Sequence, residues 1–176
     1  MEYLARKIDP GKWETKSYLK PQHIRADAIT GGCLRTDSDK LSLWRCAKGP
    51  EDVSEVVLAV SANDRIRTVE GIYIVLFEAN ELTLEKFKIK DTPNHAQTVV
   101  SDLRDRHVDV VELHMNKVVE LAHKVADKVR HGTDLLFFTR AQVLKIFRGA
   151  IQDKRLNLKL LSSLKVGEKT EIEQGI

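Results

Sequence analysis

At 176 residues with 42% hydrophobic content, the chain is long enough to close a core without disulfide or metal staples. A formal charge of +3 with 31% charged residues excludes a dedicated polycation, so any cationic function has to be local. Two cysteines, Cys33 and Cys46, outside any Cys-x-x-Cys unit, exclude a disulfide-rich scaffold and point to a reducing compartment.

Tyr3 to Ile8 reads as a first strand, stopped where Asp9-Pro10-Gly11 forces a turn. Ile24 to Thr30 reads as a second extended piece ending at Gly31-Gly32. Leu34-Arg35-Thr36 and Leu41 to Cys46 then flank the turn-rich Asp37-Ser38-Asp39-Lys40, the pattern of a hairpin. Period-two alternation puts Leu41 and Leu43 on one face of its second strand, with Ser42, Trp44 and Cys46 on the other. Gly49-Pro50-Glu51-Asp52 has the proline and acids of a helix start, and Val53, Val56, Val57 and Val60 carry that helix to about Asn63. Val69 to Phe77 is short, nearly continuous in apolar residues and rich in β-formers, which predicts an interior strand. Glu81 to Phe87 reads as a short helical turn and Lys88 to His95 as a polar connection.

At Pro93 the pattern changes. Gln97 to Arg106 reads as a short helix, and Val108 to Leu113 is open between strand and loop. Met115, Val118, Val119, Ala122, Val125, Ala126 and Val129 recur at steps of three and four, a helix that Gly132 stops. Thr139 and Gln142 form a capping box for a helix to about Asp153, and Asn157 to Leu164 reads as another. The predicted organisation is therefore α+β: a mixed strand and helix domain over 1–93, a basic helical part over 94–166, and a polar tail over 167–176 that is disordered or loosely held.

Between Leu121 and Lys165 there are ten cations against three acids, so positive charge concentrates in this segment. Lys145, Arg148, Gln152 and Arg155 are phased at three and four residues opposite an apolar stripe, and Lys124 and Lys128 extend the basic surface. Such a face suits an acidic protein partner or a phosphate backbone, and equally a plain solvated helix. No base-reading helix or aromatic stacking platform accompanies it.

Ser101 to Asp109 is the densest polar cluster: its carboxylates beside His107 suit a general base or a metal site and its arginines a phosphate, though the spacing matches no metalloenzyme or nuclease motif and alternating charges equally mark a solvated helix end. His95, His107, His114, His123, His131 and the two cysteines lack zinc spacing, and no glycine-rich phosphate loop is present, so no metal and no cofactor are expected. The segments Ala26 to Thr36 and Leu41 to Cys46 resemble parts of small bacterial proteins, a likeness that names no functional residue. With no apolar run of signal or membrane-spanning length, the expected location is cytoplasmic and away from membranes. The leading functional expectation is a non-catalytic interaction subunit of a larger intracellular assembly. Next come a sequence-independent binder of nucleic-acid backbone and an enzyme whose site lies around Asp102 to Asp109.

Overall fold

The computed structural model describes residues 2–13, 23–30, 33–34, 36–47 and 49–175. Six strands form one antiparallel sheet: β1 (Tyr3–Ile8), β2 (Leu41–Cys46), β3 (Ile72–Glu78), β4 (Lys88–Asp91), β5 (His107–Val111) and β6 (Leu135–Phe138), in the spatial order β4-β5-β2-β1-β3-β6. Alternation along the strands divides the core in two. Ile72, Ile74 and Leu76 of β3 face one side, and Val75 and Phe77 face the other.

The first side is covered by α2 (Pro50–Ser61) and α5 (Arg140–Gln152), with Val53, Val56 and Val57 packing beside Val143, Leu144 and Phe147. The second is covered by α1 (Ala26–Thr30), α3 (Ala79–Leu84) and α4 (Met115–His131), through Ala28, Leu82, Val118, Leu121 and Val125. The protein is thus a three-layer mixed α/β structure, which accounts for strands that are apolar on both faces. Cys33 and Cys46 lie in different cores, on opposite sides of the sheet.

Several expected elements stand where their signals place them. β3 is interior, α4 ends on Gly132 in the left-handed conformation (φ 65°), and both halves of the Thr139–Gln142 capping box form. The change of grammar at Pro93 is another matter. β5 and β6 lie beyond it and complete the same sheet as β1 to β3, so strands are not confined to residues 1–93.

Further expectations are corrected. Ile24 to Thr30 is not extended: α1 turns there and buries Ala28, with Thr30 Oγ1 donating to the Ala26 carbonyl at 3.0 Å. The hairpin is reduced to a single Asp37–Lys40 bridge ahead of β2, and Gly31, Gly32 and Arg35 lie outside the described residues. The helices expected over 97–106 and 157–164 shrink to 3-10 turns, Ser101–Arg106 and Leu158–Leu160, the latter capped by Asn157, whose side chain accepts the Lys159 N–H. The tail, expected to be disordered or loosely held, forms α6 (Val166–Glu173) with Ile172 fully buried. What fastens it is Arg140, whose guanidinium bonds Glu168 and Glu171, while Glu168 also accepts the Val69 main-chain N–H at 3.1 Å.

Candidate functional site

β1 pairs with β3 along its whole length but with β2 only from Tyr3 to Ala5, opposite Trp44 to Cys46. Past Ala5 the two central strands part, because β2 follows β5 instead. The edges exposed by this splay carry main-chain groups that need partners. Arg6 supplies one: its guanidinium donates to the carbonyls of Ser42 (2.6 Å) and Cys33 (2.8 Å). Burial pulls the Arg6 pKa down to about 10, against the opposing pull of the Asp109 charge.

Above the splay lies a cleft of about 460 Å³. Arg6, Ser42, Trp44 and His107 form its floor, Ala59, Val60 and Asn63 of the α2 end form one wall, and His95, Gln97 and Thr98 form the other. Both walls are pinned. The Val99 N–H donates to the Ala62 carbonyl at 2.8 Å, Thr98 Oγ1 donates to the same carbonyl, and the Val100 N–H donates back to Thr98 Oγ1.

β5 brings His107 and Asp109 to the cleft face, since they are the register partners of Trp44 and Ser42. Asp109 is 2% exposed, and its carboxylate accepts from Ser42 Oγ at 3.0 Å and from His95 Nδ1 at 2.7 Å. Burial alone would push this carboxyl up. The bonds from His95 and Ser42, together with the nearby His107 and Thr92, outweigh burial and hold it below the usual carboxylate range. His95 sits on the turn Pro93–His95, and its side chain is half exposed at the cleft. An ionised carboxylate can only accept, so His95 Nδ1 carries the hydrogen, and in the neutral ring Nε2 is then the nitrogen that holds the lone pair.

His107 is held differently. Its Nδ1 donates to the Thr92 carbonyl at 2.9 Å, and its ring meets the Trp44 indole edge-on at 5.0 Å. Burial lowers its pKa despite the Asp109 charge and the bond to Thr92, so the ring is neutral.

The residues expected to form a cationic contact face are distributed otherwise. Arg155 is bonded to Asp102 and Glu55, and Arg148 donates to the main-chain carbonyls of Glu171 and Ile172. Lys124 lies between Glu81 and Glu85, and Lys128 pairs with Asp134 at 2.9 Å. Lys145 and Gln152 point to solvent. The polar cluster over 101–109 is likewise divided: Asp102 clasps Arg155, Arg106 clasps Asp52, His107 lines the cleft, and Asp109 lies buried behind it, bonded to His95 and Ser42. His95 and Ser42, which complete the cluster around Asp109, are 14 and 67 residues away from it in the chain. No local spacing signals that convergence. Among the described residues no group of three or more His, Cys, Asp or Glu is arranged to hold a metal ion.

Comparison of the chain with protein-family models, with curated proteins and with solved structures finds no match in any of the three. The chemistry of the cleft therefore stands on its own residues. Among the described residues, no helix is long and apolar enough to cross a membrane.

Proposed function

We propose that the protein is an enzyme that binds a small polar molecule in the cleft between β1 and β2 and uses His95 to move a proton. The observation that carries this reading is the bond from a half-exposed His95 to a buried Asp109. A buried carboxylate is expensive to keep charged, and a purely apolar packing would avoid it. Here the charge orients one imidazole so that its basic nitrogen lies away from Asp109. It also stabilises the imidazolium that forms when that nitrogen accepts a proton. Ser42 holds the second carboxylate oxygen, so Asp109 cannot swing away. The neutral His107 and the Trp44 ring give the cleft a floor with apolar surface beside polar groups, as small-molecule sites require.

This develops the third of the sequence expectations, with His95 added and Asp102 removed to a structural clasp. The interaction-subunit and nucleic-acid readings have less support, because Arg148, Arg155, Lys124 and Lys128 already have partners within the chain.

The test is a thermal-shift and NMR screen of polar metabolites against the full chain, followed by turnover assays on the compounds that bind. Hits should perturb the Trp44 indole and the Thr98 amide. For a compound that is converted, His95→Gln should leave affinity within a few-fold and lower turnover about 10²- to 10⁴-fold. Hits that perturb only other surfaces, or a His95→Gln protein that turns over like wild type, would sink the proposal.

A further inference from the structure

The cleft has an annex. A second pocket of about 260 Å³ shares Lys7, Val60 and Asn63 with it and continues along the segment that links α2 to β3. Lys7, Arg65 and Arg67 line this annex, with Glu70 as its carboxylate. Glu70 accepts from Thr68 Oγ1 at 3.1 Å. Among the described residues, the side chains of Lys7, Arg65 and Arg67 have neither a hydrogen bond nor an ion pair.

That sets them apart from the cations of α4 and α5, most of which are neutralised inside the fold. Unpaired cations on a concave surface beside a reaction cleft are free to take a ligand's charge. The backbone beneath them is fixed: the Arg65 N–H donates to Asn63 Oδ1, Ile66 N–H to the Asn63 carbonyl, and Lys165 N–H to the Arg67 carbonyl. Two guanidinium groups and one ammonium outweigh a single carboxylate, and the planar fork of arginine matches a phosphoryl group's oxygens.

We infer that the annex is a phosphate subsite, and that the molecule bound in the cleft is a small phosphorylated compound whose phosphate rests against Lys7, Arg65 and Arg67. This rests on the cleft being the functional site. The two joined compartments have the scale of a nucleotide-sized ligand and together fall within the usual range for small-molecule sites. A polymer would instead need a track that runs on past both ends, whereas α2 and residues 95–98 wall the cleft on either side.

The experiment is an amide-resolved NMR titration of the full chain with inorganic pyrophosphate, with adenosine monophosphate and with a short oligothymidylate. Pyrophosphate should shift the amides of Lys7, Arg65, Arg67 and Val69, and Arg65→Gln/Arg67→Gln should weaken it at least tenfold with thermal stability unchanged. Adenosine monophosphate should in addition shift the Trp44 indole. No shift of the annex amides by pyrophosphate, or equal affinity in the double variant, overturns the subsite. If adenosine monophosphate moves Trp44 but its affinity ignores the double variant, the cleft stands and the subsite falls. Annex shifts that the double variant abolishes, with no probe reaching Trp44, support the phosphate site and reject the cleft reading. Oligothymidylate binding orders of magnitude tighter than adenosine monophosphate would make the ligand a nucleic acid and overturn the small-molecule assignment.

Discussion

Arg6 donates to the main-chain carbonyl of Ser42 at the level where their two strands separate, so a side chain takes over the bond that strand pairing no longer makes. The same guanidinium reaches the Cys33 carbonyl. An ammonium at position 6 has no planar fork with which to span both acceptors. Arg6→Lys is therefore expected to lower stability by about 1 to 3 kcal/mol, the penalty for a buried polar group left unpaired. Urea denaturation checks it, and an unchanged midpoint would show that the splay does not depend on the guanidinium.

The expected cationic face can be separated into structural and solvent-facing parts. Arg155 is hydrogen-bonded to Glu55 and Asp102, which raise its pKa, the Glu55 bond foremost. Arg155→Gln should cost about 1 kcal/mol, because the network is only partly shielded from water. Lys145→Glu, on the exposed side of α5, should stay within about 0.5 kcal/mol of wild type. Thermal melts of the two variants read the difference directly. A charge reversal at Arg155 would consequently test the fold as much as any partner.

Acid should destabilise the protein in two stages. The His107 pKa is lowered in the folded state, so below about pH 6.5 the unfolded chain takes up a proton that the folded chain refuses, and stability falls. Above that pH the two states bind alike and this contribution is flat. Asp109, also lowered, adds stability above about pH 3.9 that disappears as the pH falls further. His107→Asn keeps a donor near the Thr92 carbonyl but does not titrate. Its urea midpoint should lose the first stage and retain the second.

Two helix ends offer a smaller scale of effect. Thr139→Ala removes the side chain that accepts the Gln142 N–H and should cost about 1 kcal/mol. At Gly132 an added Cβ meets nothing within 4 Å, so the roughly 1 kcal/mol expected for Gly132→Ala is the penalty of its positive φ alone. Differential scanning calorimetry of both variants would check these values.

Elements whose signals are local and repeated were legible: the stripe of α4, the capping box of α5, the apolar run of β3. β4 was missed because Lys88-Ile89-Lys90-Asp91 is an edge strand with solvent on its outer side and reads as a polar connection. β6 is only Leu135 to Phe138, too short to show a period. α6 has almost no amphipathic pattern and is held by Arg140 from another element, a long-range ion pair that no window of sequence contains. The site follows the same logic. The sequence marks His107 and Asp109 as candidates within a polar cluster, but their burial depends on β5 lying beside β2, and nothing local links His95 to Asp109 beneath it.

The strand order also governs how the chain reaches this structure. β1 emerges first, yet its neighbours begin only at Leu41 and Ile72, and β3 closes on β6, which begins at Leu135. Each of these pairings must close a long loop before any of its bonds form, which slows folding relative to a chain built on local contacts. During that interval β3, apolar on both faces, waits for partners on either side. Between the synthesis of Phe77 and that of Phe138 the β6 side of β3 has no strand to pair with, and an unpaired apolar strand favours aggregation.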